Sequence, residues 1–121
     1  MPKKILIVDD SQVFRELEQV LLGYRDFELI TAGDGVEAVR KALSDAPDLI
    51  LLDLQMPVMT GKQALTILKG NPQTRDIPVV VVTTTTEARE SEKLLESGAV
   101  SVLSKPLDSA QLLTTVRKLL G

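Results

Sequence analysis

The chain has 121 residues, 44% of them apolar, with 14 basic and 17 acidic side chains and a formal net charge of −3. That length predicts one domain spanning residues 1–121, burying about two-thirds of its unfolded surface. There is no Cys and no His, which excludes disulfides, thiolate or imidazole metal sites, and Ser-His-Asp or Cys-His catalysis.

The first apolar run, Ile5 to Val8, is too short for the apolar region of a signal peptide. It predicts a buried strand. Phe14, Leu17 and Leu21 then recur at i, i+3 and i+7, with Val13 and Val20 widening the apolar stripe of a first helix. Ser11 or Asp10 caps its start, and Gly23 stands where it should end. Phe27 to Ile30 predicts a second strand, at an edge because Glu28 interrupts it. Gly33-Asp34-Gly35 is a fragment of a dinucleotide fingerprint, but it follows the second strand and lacks the third Gly, so it reads as a turn and cap. Val36, Val39 and Leu43 mark the second helix, capped by Asp34. Leu49 to Leu52 is the third strand, and Ala64, Leu65 and Leu68 mark a third helix between Thr60 and Gly70. Ile77 to Val82 is the fourth strand, with Thr83–Thr86 as the loop after it. Leu94 and Leu95 mark a fourth helix ending near Gly98, and Val100 to Leu103 is a weaker fifth strand. Leu112, Leu113, Val116, Leu119 and Leu120 give the last helix, capped by Asp108. Such alternation predicts an α/β domain with a parallel sheet, right-handed crossovers and helices on both faces.

Ligands of such sheets bind beyond the carboxyl ends of the strands. There the sequence puts Asp9 and Asp10 after the first strand, Asp53 after the third, Thr83 after the fourth, and Ser104, Lys105 and Pro106 after the fifth. Taken singly these are ordinary: a helix cap, a turn residue, a strand threonine, a solvated lysine. Together they bring three carboxylates, a hydroxyl and an ammonium to one sheet edge. Clustered carboxylates repel unless a cation compensates them, and a hard ion such as Mg²⁺ takes carboxylate and phosphate oxygens. A carboxylate nucleophile, a metal, a hydroxyl and a Lys suit phosphoryl transfer onto Asp.

These residues resemble a family, the response-regulator receiver domains of two-component signalling in their single-domain, chemotaxis-type form. The marks are Ile5-Leu6-Ile7-Val8-Asp9-Asp10-Ser11, Pro47 through Pro57, Gly61, Thr83, Gly98-Ala99 and Lys105-Pro106. The resemblance covers essentially the whole chain. It implies a flavodoxin-like, doubly wound (βα)5 fold with strand order 2-1-3-4-5. It implies that Asp53 is the phosphoacceptor, and that Asp10 binds Mg²⁺ directly and Asp9 partly through water, with the backbone carbonyl of Gln55 as a further ligand. Thr83 and Lys105 are then expected on phosphoryl oxygens, with a cis Lys105-Pro106 bond. A histidine kinase or phosphotransfer protein would be the donor. A downstream protein would be met through the fourth helix, fifth strand and fifth helix, where Arg89, Glu92, Lys93, Lys105 and Arg117 are expected on the surface. Such a chain works in the cytoplasm of a bacterium as a monomer or weak dimer, without direct nucleic-acid or membrane contact. It is not a conventional enzyme, since it catalyses only its own phosphorylation and dephosphorylation.

Two departures stand out. Receivers usually carry Tyr or Phe three residues before the Lys, and here that switch position is Val102. The aromatics are Phe14, Tyr24 and Phe27, so phosphorylation is expected to survive while the readout is muted or rerouted. Thr60 replaces a common acid in the Met56–Gly61 loop, without expected chemical consequence. Gln55 and Thr85 flank the site and are expected to influence hydrolysis of the acyl phosphate. Val102 also favours an alternative, a receiver-like module that signals by constitutive protein contact without phosphorylation. A sheet-end aspartyl phosphatase needs a second acid two residues after the nucleophile, where this chain has Gln55. A flavin or dinucleotide binder needs stacking aromatics or a Gly-rich loop after the first strand, and both are lacking.

Overall fold

In a computed structural model, which describes residues 2–23, 27–54, 59–84 and 88–120, strands and helices alternate along the chain. The strands are β1 (Lys3–Val8), β2 (Phe27–Ala32), β3 (Leu49–Asp53), β4 (Val79–Thr83) and β5 (Ser101–Ser104). The helices are α1 (Gln12–Leu22), α2 (Gly35–Asp45), α3 (Gly61–Gly70), α4 (Ala88–Glu96) and α5 (Ser109–Leu120). The strands form one parallel sheet in the order β2-β1-β3-β4-β5, as the resemblance implied.

Alternate residues of the central strands feed two cores. Leu6, Val8, Ile50, Leu52, Val79 and Val81 join Ala38 and Ala42 of α2, Leu65 and Leu68 of α3, and Leu94 of α4. Ile5, Ile7, Leu49, Leu51, Val80 and Val82 join Leu22 of α1 and Leu112 and Val116 of α5. Burial on both faces explains why β1, β3 and β4 read as unbroken apolar runs. Edge strand β2 leaves Glu28 in solvent.

Boundaries differ from the sequence reading where backbone chemistry overrides composition. β4 begins at Val79 rather than Ile77, because Pro78 has no N–H and joins the sheet only through its carbonyl, which accepts the Ile50 N–H at 3.0 Å. It also takes in Thr83, which is therefore a strand residue and not the first of a loop. β5 is displaced by one residue to Ser101–Ser104. Ser11, Asp34 and Thr60 cap α1, α2 and α3, the last through a reciprocal box with Gln63, and Asp108 accepts N–H bonds from Ala110 and Gln111. Gly23 and Gly98 take positive φ at helix ends as expected, but Gly70 closes the last turn of α3 and Asn71 caps it.

Two helices bury only part of their apolar stripes: Leu21 of α1 and Val39 of α2 pack against the cores, and the rest lies outward. In α1, Glu18 and Leu22 are buried, whereas Val13, Leu17 and Val20 are 72%, 45% and 68% exposed. Leu22 in the core and the Arg15 guanidinium, which donates to the Asp9 carbonyl at 2.6 Å, fix that rotation from two ends. In α2 the contact is made by Ala38, Val39 and Ala42, and Val36 and Leu43 lie outside. Small residues let a helix approach a sheet closely, and the largest apolar side chains need not lie on that face. Among the described residues no helix is long and apolar enough to cross a membrane.

Candidate functional site

The carboxyl ends of β1, β3, β4 and β5 converge because parallel strands in this register finish at one edge. Backbone bonds just past the strands hold that edge. Asp9 N–H donates to Ala32, Leu54 N–H to Val82 and Lys105 N–H to Thr83, at 3.1, 3.0 and 2.8 Å. The chain then returns from β3 to α3 by pressing Gly61 onto the backbone of Asp53. A Cβ at residue 61 would lie 2.4 Å from the Asp53 carbonyl oxygen and 2.5 Å from the Leu54 Cα. Only glycine fits there, and its N–H donates to the Leu54 carbonyl at 2.9 Å.

Asp9, Asp10 and Asp53 each present an oxygen, all within 4.8 Å of one another, with Asp9 and Asp53 buried and Asp10 exposed. Thr83 is buried beside them at the end of β4. Lys105 reaches in from the end of β5, its Nζ 3.2 Å from Asp9 Oδ2 and 3.5 Å from Asp53 Oδ1. Burial works against that ammonium, but the carboxylates of Asp53 and Asp9 outweigh it and raise its pKa above the ordinary lysine value. The other Asp9 oxygen, Oδ1, accepts the Ser11 N–H at 3.0 Å. Lys105 therefore turns away from the surface on which the sequence reading placed it, and its bond to Pro106 is cis.

Three carboxylates against one ammonium leave the cluster net negative, and every ligand atom it offers is oxygen. That donor set fits a hard divalent cation. The residues frame an open cleft of about 1120 Å³, with Phe14 and Pro106 on one side and Thr60, Lys62 and Glu90 on another. Lys62 Nζ pairs with Glu90 Oε2 at 3.2 Å, linking α3 to α4 at the rim.

The five predicted side chains Asp9, Asp10, Asp53, Thr83 and Lys105 thus share one cleft. Gln55 and Thr85 lie outside the described residues. Val102 is partly buried and packs against the core on the α2–α4 side. Arg89, Glu92, Lys93 and Arg117 are exposed as expected. Four participants escaped the sequence reading. Phe14 sits over Lys105 with Nζ 4.4 Å from the ring centroid. Lys62 and Glu90 meet only through the fold. Glu18 is buried in α1, with no hydrogen-bond partner for Oε2 among the described residues. Its burial, reinforced by Asp9 and Asp53 and opposed by Lys105, pushes its pKa from 4.5 to about 8. A glutamate beside Gln19 in a mixed polar and apolar helix carries no signal of such burial.

Residues 5–117 match the model of the response regulator receiver domain. Response regulator PleD of Caulobacter vibrioides is 41% identical over 119 residues, covering 98% of this chain, which spans only 26% of PleD's length. The polar-differentiation response regulator DivK of Brucella anthropi is 32% identical, over 100% of this chain and 98% of DivK. Among solved structures, chemotaxis protein CheY4 of Vibrio cholerae aligns with a TM-score of 0.90 at 33% identity, over 98% of this chain and 99% of that one. The receiver domain of sensor histidine kinase PA1611 from Pseudomonas aeruginosa, whose structure has magnesium coordinated in its active-site cleft, aligns at 0.90 with 26% identity, over 100% and 99% of the two chains. On sequence and fold alike, the chain belongs to the response regulator receiver domain family.

Proposed function

We propose that Asp53 is the phosphoacceptor of a two-component switch, taking a phosphoryl group from a phosphohistidine of a histidine kinase or phosphotransfer protein. The observation that carries this reading is the Lys105 ammonium held between buried Asp9 and Asp53, with Asp10 completing the oxygen cluster. An Asp53 carboxylate oxygen attacks phosphorus, the P–N bond to the imidazole breaks, and the imidazole leaves to be protonated by solvent. Lys105 and Thr83 bind oxygens of the transferred group. Hydrolysis later breaks the new P–O bond by attack of water on phosphorus, returning the carboxylate and inorganic phosphate. Asp9, Asp10, Asp53 and the Gln55 backbone carbonyl would hold Mg²⁺, which supplies charge neutralisation for the phosphoryl oxygens. The protein acts as a switch and turns over no other substrate.

The donor protein must stand over the cleft mouth. Beside that mouth α1 exposes Val13, Leu17 and Val20 in line with Phe14, which supports an apolar donor-docking face there. The downstream partner is met through α4, β5 and α5, where exposed Leu95 and Val100 add an apolar pair to the charged residues. Val102 favours one other reading, constitutive signalling without phosphorylation, since it has no ring to move. Intact mass after treatment with acetyl phosphate separates the two. A gain of one phosphoryl group that needs both Mg²⁺ and Asp53, and is absent from Asp53→Asn, is the expected result. No gain in folded protein under any condition would leave the constitutive module as the answer.

A further inference from the structure

Lys105 has two charged partners, and phosphorylation disturbs both. A cation bound by Asp9 draws on the carboxylate that holds the ammonium at 3.2 Å. Once Asp53 carries a phosphoryl group, the oxygen 3.5 Å from Nζ no longer bears a full carboxylate charge. A contact indifferent to both changes would keep the ammonium in place until the phosphoryl oxygens reach it. Phe14 supplies it. The ring lies one turn into α1, with its centroid 4.4 Å from Nζ. The Lys105 side chain is only 13% exposed, whereas Phe14 is 42% exposed and lines the same cleft. The ring is therefore not a core residue. It covers an ammonium and itself faces solvent.

We propose that Phe14 is a positioning residue for Lys105, its ring face holding the ammonium at the phosphoryl site whatever the charge state of Asp53. An aromatic face attracts a cation through its quadrupole and has no lone pair on a heteroatom to compete with a phosphoryl oxygen for an N–H. It also replaces water on the open side of the ammonium, which strengthens the electrostatics inside. The lysine then meets the incoming phosphoryl group already oriented.

This inference rests on the phosphoacceptor reading of Asp53, and one set of variants separates the two. Phosphorylation by acetyl phosphate with Mg²⁺ is followed in the wild type, Phe14→Tyr, Phe14→Leu and Phe14→Met. Tyr keeps the ring face, whereas Leu and Met keep apolar bulk alone. We expect Phe14→Tyr to react at nearly the wild-type rate and the Leu and Met variants to be roughly three- to tenfold slower, with unchanged thermal midpoints. A second readout needs no chemistry: in the proton NMR spectrum the Lys105 Hε signals should show a ring-current shift in the wild type and Phe14→Tyr and lose it in Phe14→Leu. Equal rates in all four proteins, or Lys105 Hε signals without a ring-current shift in the wild type, overturn the role of Phe14 and leave Asp53 as phosphoacceptor. A wild type that accepts no phosphoryl group overturns both.

Discussion

Glu18 gives the receiver a pH-dependent weakness. Its carboxyl is 2% exposed, and Oε2 lacks a partner among the described residues. Burial first, and then the charges of Asp9 and Asp53, raise its pKa from 4.5 to about 8. Between those values the folded chain holds a proton that the unfolded chain has released. Stability from this group is therefore fully present below about pH 4.5 and lost as pH rises toward and through 8. At 1.36 kcal/mol per pKa unit, the penalty is about 1 kcal/mol at pH 5 and about 3 kcal/mol at pH 7. The chain has no His or Cys, so few other groups titrate in that window. Urea unfolding at pH 5 and pH 7, in EDTA, should show the wild type losing about 2 kcal/mol more than Glu18→Gln, or roughly 8 °C in Tm. Glu18→Leu should be the more stable variant at pH 7, because it also removes the unpaired oxygen. Parallel pH–stability curves for the wild type and Glu18→Gln would refute the reasoning.

Other perturbations follow from the packing at the strand ends. Gly61→Ala forces a Cβ onto the Asp53 and Leu54 backbone, so we expect a loss of about 2–4 kcal/mol in urea melts and impaired phosphorylation of the residual folded protein. Leu17→Lys changes an exposed position, so stability should move by less than about 0.5 kcal/mol. Its phosphorylation by acetyl phosphate should be unchanged while transfer from a cognate kinase slows, and equal slowing with both donors would discard the α1 docking face. Val102→Tyr puts a ring where a partly buried valine packs. It should destabilise by about 1–3 kcal/mol and enlarge the amide shift differences between free and phosphorylated forms over residues 84–106. Large differences already present in the wild type would show that Val102 does not mute the readout.

Position 102 shows what spacing along the chain can and cannot reveal. Val102 announces the loss of a ring by its spacing from Lys105. Its packing toward Leu94 and Ala99, rather than toward α5, depends on strand parity and on which helices cover each face. The same division holds for the helices. The stripe Val13, Phe14, Leu17, Val20 and Leu21 is legible as helical, but which part of it faces inward is not. Two anchors about two turns apart on α1, Leu22 in the core and Arg15 on the Asp9 carbonyl, turn all of it but Leu21 outward.

The alternation of buried strands and helices is legible in the chain alone, since branched apolar runs and 3.6-residue periods are local properties. So is the gathering of Asp9, Asp53, Thr83 and Lys105 at one edge, because in a parallel sheet the residues after each strand reach the same side. Which groups touch there depends on how the elements pack. The Phe14 ring on Lys105 and the Lys62–Glu90 rim pair join elements whose relative rotation is set by packing over long sequence separations, and the same packing buries Glu18. No residue carries that rotation in its own identity.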